Sequence, residues 1–127
     1  METAKMKIGR LGEEAACRRL EALGHTIVER NWRSGHLEVD IISLDGAGLH
    51  FVEVKSRVAP VAAEPEENVT ALKRSRIVTA AERYLHSDGK APVSADTDIF
   101  FDVISVIFEG DDVEVNYFPQ AYIPIYT

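Results

Sequence analysis

Leu37-Glu38-Val39-Asp40-Ile41-Ile42-Ser43-Leu44, the tetrad Asp45-Gly46-Ala47-Gly48, and Leu49-His50-Phe51-Val52-Glu53-Val54-Lys55-Ser56-Arg57 together form the stretch that decides the fold. Both arms alternate over several positions and are rich in β-branched and apolar residues. The glycines between them supply turn chemistry, so the stretch predicts a β-hairpin. With the tetrad as the loop, Leu44 pairs with Leu49, and counting outward sets Asp40 opposite Glu53 and Glu38 opposite Lys55. Two carboxylates facing each other across an antiparallel pair repel. The repulsion is worse in a central pair covered on both faces, which Val39, Ile41, Val52 and Val54 predict. Three arrangements relieve it: a raised pKa on one acid, an ion pair with Lys55, or a cation between the acids. Glu53 and Lys55, two apart on a strand, share a face, so the last two use all three residues.

Around this hairpin the chain of 127 residues fits one domain, long enough to bury a core without disulfides or a structural metal. A single cysteine, Cys17, excludes an internal disulfide and fits a reducing compartment; on a helix it reads as a small apolar filler. The first residues contain no apolar signal-like segment and no run approaches membrane-spanning length, so the expected location is the cytoplasm. Net charge is -7, which argues against a general nucleic-acid coat. Its distribution matters more. Residues 1–90 carry all 14 Lys and Arg against 14 of the 21 acids, so the acidity is confined to the C-terminal segment and a locally basic surface remains open to the first part.

Before the hairpin, Ile8, Leu11, Ala15, Ala16, Leu20 and Leu23 recur at helical spacing from Ala4 to Leu23, with Gly24 as the stop. Helical phase puts Glu13 at the edge of the apolar stripe and Glu14 on the polar side with Arg18 and Glu21. Thr26 to Arg33 predicts a first strand carrying a core-type Trp32, and Ser34-Gly35-His36 a loop. After the hairpin, Val58 to Asn68 reads as a connection, and Val69 to Leu85 as a helix apolar at Val69, Leu72, Ile77, Ala80 and Tyr84. Lys73, Arg74 and Arg76 make that helix the most basic part of the chain, suited either to solvent or to phosphates. His86 to Asp98 is a loop, Ile99 to Phe108 a strand, Gly110-Asp111-Asp112 a turn and Val113 to Phe118 the partner strand. Asp102, inside an apolar strand, needs a hydrogen-bonding partner and reads as structural. His25, His36, His50 and His86 are scattered, with no zinc-type spacing and no Ser/His/Asp set, and Gly9-Arg10-Leu11-Gly12 is far short of a phosphate loop.

The expected architecture is an α/β fold of order αβββαββ, with a mixed sheet and helices on both sides. Glu13, Asp40, Glu53 and Lys55 then supply three carboxylates and a lysine. Carboxylates suit hard divalent cations, and Mg²⁺ takes one or two of them while keeping waters and sharing substrate phosphates. A lysine beside such an ion can orient or deprotonate a water, which together serves phosphodiester hydrolysis. Glu-x-Lys alone is a weak signal, since Asp88-Gly89-Lys90 repeats the pattern in a loop.

Gly9-Arg10-Leu11-Gly12-Glu13, Asn31-Trp32-Arg33, Glu38-Val39-Asp40-Ile41-Ile42, Phe51-Val52-Glu53-Val54-Lys55-Ser56-Arg57, Val69-Thr70 with Lys73 and Arg74, and Phe101-Asp102-Val103 resemble the YraN-like family of bacterial proteins. That family is similar to Holliday-junction resolvases of the PD-(D/E)xK nuclease fold. The resemblance implies Glu13, Asp40 and Glu53 as ligands of Mg²⁺ or Mn²⁺ and Lys55 as the catalytic lysine. It implies endonuclease-like action on DNA, including branched DNA, and a homodimer. Lys73, Arg74, Arg76, Arg57 and Arg33 are candidates for backbone contact, and Glu38 for orienting Lys55. Leu37, Ala63 and Phe100 depart from the family pattern, none at a presumed ligand. Two other readings stay open here: a non-catalytic module that binds nucleic acid or a protein partner on the same fold, and a structural ion network of Asp40, Glu53 and Lys55.

Overall fold

The hairpin lies inside a five-stranded sheet of order β1-β2-β3-β4-β5 in the computed structural model, which describes residues 1–61, 71–87 and 93–122. The elements follow as α1 (Ala4–Ala22), β1 (Thr26–Ser34), β2 (Leu37–Leu44), β3 (Leu49–Val58), α2 (Ala71–Leu85), β4 (Ile99–Glu109) and β5 (Asp112–Phe118). Strands β3 and β4 pair in parallel and the other neighbours are antiparallel. The expected αβββαββ order and mixed sheet are therefore found, with α2 between the two parallel strands, as a parallel pair requires of its connection.

Local chemistry sets the element ends. Thr3 Oγ1 accepts the Met6 N–H at 3.1 Å and caps α1, and Gly24, at φ +96°, takes the left-handed step that ends it. Adjacent residues of β3 point to opposite faces, and each face has its own core. Phe51 packs with Ile77, Val78, Ala80, Ala81 and Tyr84 of α2, while Val52 packs with Ala16, Cys17 and Leu20 of α1. The sheet is thus covered by one helix on each side, each fully buried large side chain contributing about 1.5–3 kcal/mol. Trp32 packs edge-on to Tyr84, and Cys17 is buried, in line with their core readings.

Two residues of the expected apolar stripes stay exposed. Leu23 sits past the last turn of α1 and Leu72 lies in the first turn of α2, beyond the part of each helix that covers the sheet. Val69-Thr70, Ala63 and most of the expected 58–68 connection, Asp88-Gly89-Lys90 and the last five residues lie outside the described residues. Among the described residues no helix is long and apolar enough to cross a membrane.

Candidate functional site: a cavity of acids and lysines

Strand pairing between β2 and β3 runs from Leu44↔Leu49 to Ile41↔Val52, the predicted register, and ends there. One step further the carboxylate of Asp40 replaces a backbone acceptor: its Oδ2 takes the N–H of Val54 at 2.8 Å. Side-chain alternation breaks at the same residue, because Val39 belongs to the α2-side core and Ile41 to the α1-side core. On the other neighbour, Asn31 falls between the paired Arg30↔Ile41 and Trp32↔Val39 and holds φ at +51°. The expected face-to-face placement of Asp40 and Glu53 is thereby replaced by a splayed end, in which Asp40 is tied to the backbone of β3.

Glu53 and Lys55 are both buried, on the α2 side of β3. Lys55 Nζ donates to Glu53 Oε1 at 3.2 Å, and Lys73 Nζ, from the first turn of α2, reaches the same oxygen at 2.5 Å. The other oxygen, Glu53 Oε2, is buried and has no hydrogen-bond partner among the described residues. A buried acceptor left unmet costs about 1–3 kcal/mol, so the chemistry of this atom suits a donor or a cation. Glu38, Asp40, Glu53, Lys73 and Arg76 line one cavity of about 500 Å³.

Electrostatics separates the groups. Burial, and then the charges of Glu13, Glu53 and Glu38, push Asp40 up to about 7, with the Val54 N–H opposing. Burial lowers Lys55; the charge of Glu53 opposes this and that of Lys73 adds to it. For Lys73 burial pulls down, but the hydrogen bond and charge of Glu53 more than offset it and leave the ammonium above its ordinary value. Lys73 thus serves as the fixed cation, and Lys55 is the lysine that loses a proton more readily.

Glu13 reaches the neighbourhood because of Gly12. A Cβ there would fall 1.7 Å from Ser56 Oγ, so glycine lets α1 lie directly on β3. Glu13 is half-buried beside Val54 and Ser56, in a groove next to the cavity, and its hydrogen bond to Asn31 and the charge of Arg30 work against a rise caused by burial. Glu14 is tied to Arg10 at 3.5 Å.

The remaining candidates separate. Glu38 pairs with Arg33 on β1 at 3.3 Å, directly across from it, so its expected role as the cross-strand neighbour of Lys55 gives way to an ion pair on the other side of β2. Arg74 lies over the Tyr122 ring at 5.1 Å, and Arg57 lines the groove of Glu13. Of the basic set, Lys73 and Arg76 open onto the cavity.

At the closed end of the hairpin the fold makes a cluster that sequence spacing did not indicate. His25, Asp45 and His50 offer ligand atoms that all lie within 4.8 Å of one another, a separation to which Glu13, Asp40 and Glu53 are not drawn. The signal was the register of β1 on β2: Thr26 pairs with Leu44, so His25 must meet Asp45, and Ser43 pairs with His50. Asp102 closes the group from β4, accepting from Tyr117 OH at 2.5 Å and Gln120 N at 2.9 Å. Its structural reading is the one its contacts describe.

A mixed five-stranded sheet with one helix on each face, and with a cavity where the buried Glu53, itself paired with the buried Lys55, meets the half-buried Asp40, defines an α/β protein whose polar site is built into the sheet itself. The chain belongs to the uncharacterised protein family UPF0102, whose model matches residues 12–106. It is 37% identical over 118 residues to a UPF0102 protein of Bacteroides thetaiotaomicron, covering 93% of both chains. With a UPF0102 protein of Chlorobium chlorochromatii it shares 43% identity over 100 residues, 79% of this chain and 74% of the relative. A UPF0102 protein of Oleidesulfovibrio alaskensis is 52% identical over 85 residues, 67% of this chain but 42% of that longer relative.

Proposed function

We propose that the protein is a metal-dependent phosphodiesterase of the PD-(D/E)xK kind, cutting DNA as an endonuclease, with branched DNA among its substrates. The observation that carries this reading is Glu53: one carboxylate oxygen is shared by two lysines and the other is buried without a partner among the described residues. An orphaned carboxylate oxygen next to an Asp40 pushed up to about 7 is the donor set a hard divalent cation fits. Asp40 and Glu53, with Glu13 as the third acid, would hold Mg²⁺ or Mn²⁺ on drawing closer together than they stand in the fold described. When bound, such an ion lowers the pKa of a water and neutralises charge on the phosphoryl oxygens.

The other steps fall to the chain's own groups. Lys55, lowered by burial, orients a water and takes up its proton at Nζ. Lys73 and Arg76 at the cavity draw in the phosphate backbone. The tie between Asp40 and the Val54 N–H keeps that carboxylate from swinging away.

The test is incubation of the full chain with branched and linear DNA in Mn²⁺ and in Mg²⁺, beside Glu53→Gln and Lys55→Ala. Cleavage by the parent protein and loss of about 100-fold or more in each variant is expected, the scale typical of a positioned proton-transfer group. Equal cleavage by all three, or none with either metal on either DNA, overturns the reading.

A further inference from the structure

We propose that His25, Asp45 and His50 form a binding site for a divalent transition metal of the Zn²⁺ class, separate from the acid cavity. The three side chains come from the α1–β1 junction, the β2–β3 turn and β3. His25 Nε2 lies 3.3 Å from Asp45 Oδ2 and His50 Nε2 lies 2.8 Å from Asp45 Oδ1. Zinc–ligand bonds of about 2.0–2.2 Å set neighbouring ligand atoms about 3.0–3.5 Å apart, so the ion requires only a small opening of this group.

The outward nitrogens are what separates a ligand set from a chance polar contact. His50 Nδ1 is 2.6 Å from Asp102 Oδ2 and His25 Nδ1 is 2.9 Å from Ser43 Oγ. Both rings are therefore held by their Nδ1 atoms and present Nε2 to the same carboxylate, the arrangement in which an outer carboxylate or hydroxyl orients a metal-binding imidazole. Asp102 is itself fixed by Tyr117 and Gln120, and Phe100 stacks on the His50 ring at 4.9 Å. Asp45 is held by its own turn, Oδ1 accepting from Ala47 N at 3.0 Å and Gly48 N at 3.1 Å.

The chemistry selects the ion. Two imidazoles and one carboxylate suit Zn²⁺, Co²⁺ or Ni²⁺, and disfavour Mg²⁺ and Ca²⁺, which take oxygen. Both histidine side chains are nearly closed off, at 4% and 7% exposure, whereas that of Asp45 is 23% exposed, so solvent meets the site from the Asp45 side. Three protein ligands leave a coordination position for water on that side. A bound ion would tie the start of β1 to the hairpin turn and, through Asp102, to β4 and β5.

The test is a Co²⁺ titration of the full chain, read by visible d–d absorption, with Zn²⁺ displacement and the Zn²⁺-dependent change in Tm as second readouts. One equivalent of Co²⁺ with structured bands, displaced by Zn²⁺ but not by Mg²⁺, is expected. Asp45→Asn and His25→Gln each weaken binding by about 100-fold, and Ser43→Ala, which removes an outer partner, by about tenfold. His36→Gln, at an exposed histidine, leaves binding unchanged. Absence of bands together with no Zn²⁺-dependent rise in Tm overturns the proposal, as does undiminished binding in Asp45→Asn. So does binding that His36→Gln abolishes. Should His25→Gln fail to fold, Asp45→Asn, at the partly exposed position, decides alone.

Discussion

The carboxylate of Asp40 accepts the backbone N–H of Val54 at 2.8 Å, one residue beyond the last paired position of β2 and β3. An acid has taken the place of a strand, and the sheet opens at that point into the cavity shared with Glu53. Because Asp40 is pushed up to about 7 from an ordinary 3.8, its protonated form is the one the fold favours.

The pH dependence follows with a definite sign. A folded pKa above the unfolded one contributes stability that is complete below about 3.8 and is lost as pH rises through about 7. In chelator, Asp40→Asn, which keeps an amide oxygen for the Val54 N–H, raises Tm above the parent at pH 8 and leaves it unraised at pH 4. A gain of about 1 kcal/mol corresponds to roughly 3–5 °C in a domain of this size, read by calorimetry. Equal shifts at both pH values would refute the electrostatic account.

The same charge cluster predicts a metal effect on the parent protein. Mg²⁺ or Mn²⁺ raises Tm at pH 8 and does so much less in Glu53→Gln, because the buried oxygen that no described residue partners is the donor that variant weakens. Thermal melts against metal concentration measure this without any nucleic acid.

Gly12 sets the approach of α1. Gly12→Ala drives a methyl to 1.7 Å from Ser56 Oγ and 2.7 Å from Ser56 Cβ, and costs about 1–3 kcal/mol in urea denaturation. Ser56→Ala recovers only part of that loss, since the Cβ contact survives.

Tyr117→Phe removes the hydroxyl that Asp102 accepts at 2.5 Å. Taking one partner from a buried acceptor costs about 1–3 kcal/mol, and the urea midpoint falls accordingly while the far-UV spectrum is retained.

Lys73→Met and Arg76→Met should each lower the slope of log affinity against log salt for DNA by about 1, with Arg33→Met serving as the reference outside the cavity. Fluorescence anisotropy at several salt concentrations provides the measurement. Identical slopes in all three variants would remove Lys73 and Arg76 from the backbone contact.

The hairpin, the helices and their order were legible because each rests on local periodicity: alternation in β2 and β3, a 3.6-residue stripe in α1 and α2, and glycine at the turns. Helical phase was enough to single out Glu13, which lines a groove with Val54 and Ser56, from Glu14, which pairs with Arg10. Register counted from the turn was right as far as Ile41↔Val52. It failed one step later because the break at Asp40 depends on Asn31 from β1 and the backbone of β3, and neither leaves a mark on the alternation of β2. Counting from the turn alone places Glu38 on Lys55 for the same reason, whereas Arg33 pairs with it from β1.

By itself the sequence determined that Glu53 and Lys55 share a face of an interior strand beside a second acid, because a strand has period two and a tight turn leaves little freedom of register. Only the tertiary structure decided what those groups meet. Docking of α2 puts Lys73 on Glu53, and the parallel placement of β4 beside β3 carries Asp102 to His50, 52 residues away. The start of β1 brings His25 to Asp45. Such meetings are set by packing across the sheet, where sequence separation carries no periodic signal, so scattered histidines became a cluster that no spacing in the chain foretold.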